Sequence, residues 1–191
     1  PDIGAVAIRG ACSRAKLDPA SVDGVIMGCV LPAGLGQSPA RQASLAAGFP
    51  DSVGVLTVNK VCSSGLISIM LADKTIRAGD AEIVVAGGME SMSNSPYYLP
   101  NARGGLRMGD SKLVDGMIFD GLWDIYSDTH MGTCAELCAE KYSFTREMQD
   151  AYAIESYKRA QKSIADGTFK DEISPVEIPQ RKGAPVICDT D

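Results

Sequence analysis

The sequence predicts an α/β fold in which a mixed, largely parallel sheet packs around a buried helix. Three observations predict it. Short, nearly continuous apolar runs bounded by Gly and Pro alternate with stretches of helical period. The runs lack the in-out alternation of a half-wet sheet, as expected of strands covered on both faces. Strand, helix and strand also follow one another in the βαβ order that a crossover helix and parallel neighbours produce.

The chain opens on "PDIGAVAIRGACSRAKLD", where Ile3, Val6, Ala7, Gly10 and Ala11 form one helical stripe. Residues 25–31 are apolar at nearly every position and end at Pro32, which predicts the first strand. After the loop "AGLGQS", a helix is predicted over 39–47, with Pro39 in its first turn and Gly48 as its stop. "VLTVNKV" predicts a second strand running to Val61, and "AEIVVAGG" a third ending at Gly87 and Gly88. Between them, residues 63–78 have helical spacing and apolar side chains on almost every side, so that helix is expected inside the fold. Residues 93–128 mix Pro, Gly, aromatics and charge without a sustained period, an excursion long enough to suggest function or assembly. Helices follow from about Met131 to Tyr142 and from a Thr145 cap to a Gly167 stop, then a tail of strand and turn. Two regions are expected, 1–92 and 93–191.

With 191 residues, 45% of them hydrophobic, the chain can bury a sizeable core. No apolar run approaches the roughly 20 residues that cross a bilayer, so no membrane partner is expected. Net charge is −6, with 24 acidic against 18 basic residues, which argues against nucleic acid as a partner. Six scattered cysteines show neither a C-x-x-C pair nor a disulfide framework, as expected of a reducing, cytoplasmic setting. Pro1 stands where a start methionine would, and the tail stops in a candidate strand. An internal piece of a longer protein is expected, with any organelle-targeting segment upstream.

"NKVCSSG", residues 59–65, sets one thiol at the junction of a strand and a helix. A cysteine there faces free backbone N–H groups and the positive end of the helix dipole, which favour the thiolate, the reactive form. The residues alone also fit a small buried hydrophobe at a tight turn. His130 is the only histidine, and a lone histidine is more often packed or solvated than catalytic. His130, Cys134 and Cys138 repeat at a spacing of four, but eight residues of helix rise about 12 Å, too far for one zinc. Neither Gly-rich segment has a G-x-G-x-x-G or G-K-[ST] pattern, so neither is read as a nucleotide cradle.

"VNKVCSSGL", "VVAGGMESMSNSPY", "RGGLRMGD", "DGLWDIYSDTHMGTCAE" and "TREMQDAYAIESYKRA" together resemble the thiolase family, in particular its short-chain members. The resemblance covers essentially the whole chain. It implies a thiolase-like layered fold: residues 1–92 as an N-terminal domain lacking its first strand, and 93–191 as a loop domain with a tetramerisation-type loop near Arg103, Arg107 and Lys112. It implies that Cys62 is the acyl-thioester nucleophile, its backbone N–H serving the oxyanion hole, and that Leu122, His130 and Met131 bind substrate. The implied reaction condenses two acetyl-CoA to acetoacetyl-CoA and CoA, or reverses it by thiolysis. Coenzyme A thioesters are the substrates, no separate cofactor or metal is expected, and a homodimer or homotetramer is. The family's activating histidine, second cysteine and water-orienting asparagine would lie beyond residue 191, so this stretch alone is expected to be inactive. Alternatives are a 3-ketoacyl-CoA thiolase of broader chain length, a related condensing synthase, and a non-catalytic binding or assembly module.

Overall fold

Three parallel strands organise the first of two units. They are β1 (Gly24–Gly28), β2 (Gly54–Val58) and β3 (Val84–Gly88), and β1 lies between the other two. A computed structural model describes residues 1–190; contacts group Pro1–Trp123 into one unit, and the second begins at Asp124. Gly28 at the end of β1 aligns with Val58 on one side and Gly88 on the other. The parallel sheet and its crossover helices agree with the expected fold class.

Successive side chains of β1 serve opposite faces. Val25 and Met27, 1% and 2% exposed, join Ala5, Ile8, Ala40, Ala43 and Phe49 in the core. That core packs α1 (Asp2–Ala15) and α2 (Pro39–Ala46) against each other and against the sheet. Each fully buried Val or Met contributes about 1.5–3 kcal/mol. At the start of β1, Asp23 Oδ2 accepts from Glu82 N (2.8 Å) and Ile83 N (2.9 Å), while Asp23 N donates to Ile83 O (2.9 Å). These bonds fix the register of β3. The Ile83 and Glu82 N–H groups also hold the Asp23 carboxyl below its usual range.

Helix α3 (Ser64–Ala78) packs on β1 and β3. The sequence reading expects it buried on nearly all sides, and the structure differs. Only Ser64, Ser68 and Ala72 are buried, one small residue per turn, whereas Leu66, Ile69 and Met70 are 61%, 54% and 47% exposed. Small side chains at i, i+4 and i+8 let the helix close tightly on the strands, and that geometry turns its large apolar residues away from them. The second strand also ends earlier than expected, at Val58 instead of Val61.

The aperiodic stretch contains 3₁₀ turns at Met92–Asn94 and Ala102–Gly104 and two short antiparallel strands, β4 (Tyr97–Tyr98) and β5 (Val114–Asp115). It also contains α4 (Gly116–Gly121), started by Asp115, whose Oδ1 accepts from Met117 N (2.9 Å). Arg103, Arg107 and Lys112 are exposed. Strand β6 (Trp123–Asp124) spans the unit boundary.

The second unit contains β7 (Thr129–His130), α5 (Met131–Lys141), α6 (Arg146–Ala165) and the antiparallel pair β8 (Val176–Ile178) and β9 (Val186–Cys188). Thr145 Oγ1 caps α6 by accepting from Met148 N (3.3 Å), as its position predicts. Asp191, last residue of the expected 93–191 region, lies outside the described residues.

Candidate active site

Glycines bring the start of α3 against the C-terminal ends of the strands. A Cβ on Gly28 would stand 2.4 Å from the Ser64 carbonyl carbon and 2.7 Å from Gly65 N, and one on Gly88 would stand 3.2 Å from Gly65 Cα. Main chain therefore meets main chain. Ser68 Oγ, fully buried, lies between Gly65 O (2.6 Å) and Gly87 O (2.7 Å) and ties the helix to β3.

Residues 59–63 connect β2 to α3 through a tight turn. Cys62 precedes the N-cap, Ser63, so the helix begins two residues after the thiol. Val61 has φ +49°. A left-handed conformation costs an L-residue about 1–2 kcal/mol, and for a β-branched side chain it is a marked outlier. Val61 N donates to Asn59 Oδ1 (2.9 Å), and Ser64 Oγ donates to Val61 O (2.6 Å) while accepting from Lys60 N (2.8 Å). Ser64 N also donates to Val61 O (3.0 Å). Strain of this kind persists only where the surroundings over-determine it, and it concentrates at functional sites.

Cys62 is exposed and lines a cavity of about 420 Å³ with Val30, Leu31, Val61, Met89, Met92 and Leu122 among its walls. Glu90, also on the wall, accepts from Val30 N (2.8 Å) with Oε2 and from Leu31 N (2.9 Å) with Oε1, securing the chain after β1. The buried Cys29 thiol lies 3.7 Å from Glu90 Oε1. Burial, and then the Glu90 charge, push Cys29 up and hold it as the neutral thiol.

Leu122 follows α4, which Tyr98 anchors by donating its Oη hydrogen to Asp120 Oδ2. That hydrogen bond, with burial and the carboxylate's charge, pushes Tyr98 up to about 12. The folded state thus retains the phenolic proton more tightly than the unfolded chain, whose value is 10.0. The linked stability is fully present below pH 10.0 and is lost as pH rises through about 12. In an alkaline titration followed by phenolate absorbance, Tyr98→Phe should remove a tyrosine transition near pH 12. An unchanged profile would show that the Tyr98–Asp120 bond does not form in solution.

Of the expected site residues, Cys62 and Leu122 come together on one cavity wall. His130 and Met131 stand side by side in the second unit, at the start of α5. His130 Nδ1 accepts from Gly132 N (2.9 Å) and caps that helix; the ring is half-buried, and Met131 is 43% exposed. No hydrogen-bonding role for Asn59, Val61, Ser64 or Glu90 is read from the sequence, in which Val61 only ends the second strand. An Asn three residues before the thiol carried a usable signal, because its side chain can bond the backbone two residues on. Glu90 carried none, since its partners lie about 60 residues away.

The model of the thiolase N-terminal domain matches residues 1–191. The chain belongs to the thiolase family. It is 55% identical to an acetyl-CoA acetyltransferase of Pseudomonas aeruginosa and 56% identical to one of Cupriavidus necator, in each case over all of this chain and 49% of the relative. Acetyl-CoA acetyltransferase 2 of Arabidopsis thaliana is 54% identical over 99% of this chain and 47% of its own length. This thiolase chain thus spans about half the length of the curated relatives it matches.

Proposed function

We propose that the complete protein is an acyltransferase that works through a Cys62 thioester, condensing two acetyl-CoA to acetoacetyl-CoA and CoA or running the reverse thiolysis. One observation carries the reading: an exposed thiol on a strained strand-to-helix turn, lining a largely apolar cavity. Relatives named acetyl-CoA acetyltransferase support the choice of substrate.

In the first half-reaction the Cys62 thiolate attacks the acetyl carbonyl, the C–S bond forms, and coenzyme A leaves as a thiol once protonated. In the second, the deprotonated α-carbon of another acetyl-CoA attacks the thioester and Cys62 departs as thiolate. Sulfur suits both roles, being a strong nucleophile and a good leaving group. The Cys62 N–H is proposed as an oxyanion donor, which stabilises the charge that develops on the acyl oxygen. Leu122 is assigned the pantetheine side, and His130 and Met131 the acyl-CoA pocket, with binding roles. Proton transfer to and from Cys62 and the α-carbon is assigned to groups outside residues 1–191, and these residues alone are expected not to turn over. A cytoplasmic homotetramer in fatty acid metabolism is the setting we infer.

The test is mass spectrometry of the complete protein after acid quenching of a reaction with acetyl-CoA. One acetyl group on the peptide containing Cys62 is expected. Turnover with that peptide unmodified, and the acetyl group on another cysteine, would overturn the assignment.

A further inference from the structure

Asn59 is not itself among the residues that line the cavity, yet the geometry of the turn depends on it. Its Oδ1 accepts from Val61 N (2.9 Å), and its Nδ2 donates to Val30 O (3.3 Å), which follows β1 and lines the cavity. One side chain therefore connects the strand exit on one wall to the strained residue immediately before Cys62. The pairing needs an amide: one end accepts from an N–H, the other donates to a carbonyl, and a carboxylate has no hydrogen for the second bond.

Resting on the acyl-transfer reading above, we propose that Asn59 is a positioning residue for the nucleophile. It holds Val61 at φ +49° and so aims Cys62 at the acyl carbonyl from a fixed place on the cavity wall. Ser64, 4% exposed, secures the other side of the same residue through Val61 O, in the peptide group that leads into Cys62. With Asn59 removed, Val61 can relax toward negative φ, where a β-branched residue is unstrained, and the thiol moves with it. A nucleophile displaced by about 1 Å loses up to about 100-fold in rate, because attack on a bound carbonyl needs near-alignment. Reaction with a small, freely diffusing alkylating agent has no such requirement.

The experiment compares the complete protein with its Asn59→Ala and Asn59→Asp variants. It measures acetoacetyl-CoA thiolysis, the rate of Cys62 acetylation by acetyl-CoA, and the rate of Cys62 alkylation by iodoacetamide. For Asn59→Ala, kcat and the acetylation rate should fall together by about 10- to 100-fold, with KM and the alkylation rate within about threefold of the parent. Asn59→Asp keeps the acceptor for Val61 N and should recover part of the loss; it also supplies the comparison if the alanine variant does not fold. Acetylation within about threefold of the parent in Asn59→Ala would overturn the inference, as would alkylation falling as far as acetylation, which marks general collapse of the turn. A parent protein without thiolysis would overturn both this inference and the functional reading; a parent with thiolysis and an indifferent Asn59 would overturn this one alone.

Discussion

Cys62→Ser in the complete protein should lower kcat for acetoacetyl-CoA thiolysis by at least about 10⁴-fold, while KM changes little. The substitution exchanges sulfur for oxygen at an exposed position, so the change in stability should stay within about 0.5 kcal/mol. Chemistry changes far more than packing. A serine hydroxyl at neutral pH has almost no anionic fraction, and an alkoxide is a poor leaving group in the second half-reaction. Within the same unit no other cysteine is equipped to take over: Cys12 and Cys29 are 6% and 1% exposed, and burial pushes both thiols up, with the Glu90 charge adding to the effect at Cys29. Rapid-quench kinetics should show no acyl-enzyme burst. A burst of parental amplitude, or turnover within about tenfold of the parent, would mean that the acyl group travels by another route.

The position of Cys62 at a strand-to-helix junction was legible because two signals met on it. A run of β-branched residues ends and a helical period begins within a few positions, and the residues at the change are small. Helix stops were legible for a related reason: Gly48, Gly79 and Gly167 have φ of +96°, +80° and +68°, a region glycine enters without steric cost. The conformation of Val61 was not legible. A valine after "VLTVNK" continues the strand pattern, and what turns it left-handed is hydrogen bonding from Asn59 and Ser64, which apolar periodicity does not encode. Long-range bonds were equally invisible, as with Glu90 holding Val30 and Leu31. The apolar surface of α3 also misled the sequence reading: hydrophobicity all round predicted burial all round, whereas contact with the sheet is made by Ser64, Ser68 and Ala72. Binding roles for His130 and Met131 came from family resemblance alone, since a lone His-Met pair at a helix start carries no chemistry of its own.

Gly28→Ala should be the most damaging single methyl group in the first unit. The added Cβ would meet the Ser64 carbonyl carbon at 2.4 Å, its oxygen at 2.6 Å and Gly65 N at 2.7 Å. All three are main-chain atoms of the first turn of α3, so no side chain can rotate away. Either the helix start or the end of β1 must shift by about 1 Å, which as an overpacking strain costs about 1–3 kcal/mol. The same shift carries Cys62, two residues before Ser64, out of alignment. Turnover of the folded fraction should fall about 100-fold. Gly54→Ala is the matched control: it lies in β2 with nothing within 4 Å of its added Cβ, and it should leave both melting temperature and turnover near those of the parent. If Gly28→Ala behaves like Gly54→Ala in both measurements, α3 does not press on the strand end as described. Because the clash is with backbone, truncating a neighbouring side chain offers no relief, and Gly28→Ala combined with Ser64→Gly, which also loses the Ser64 bonds to Lys60 N and Val61 O, should be at least as impaired as Gly28→Ala alone.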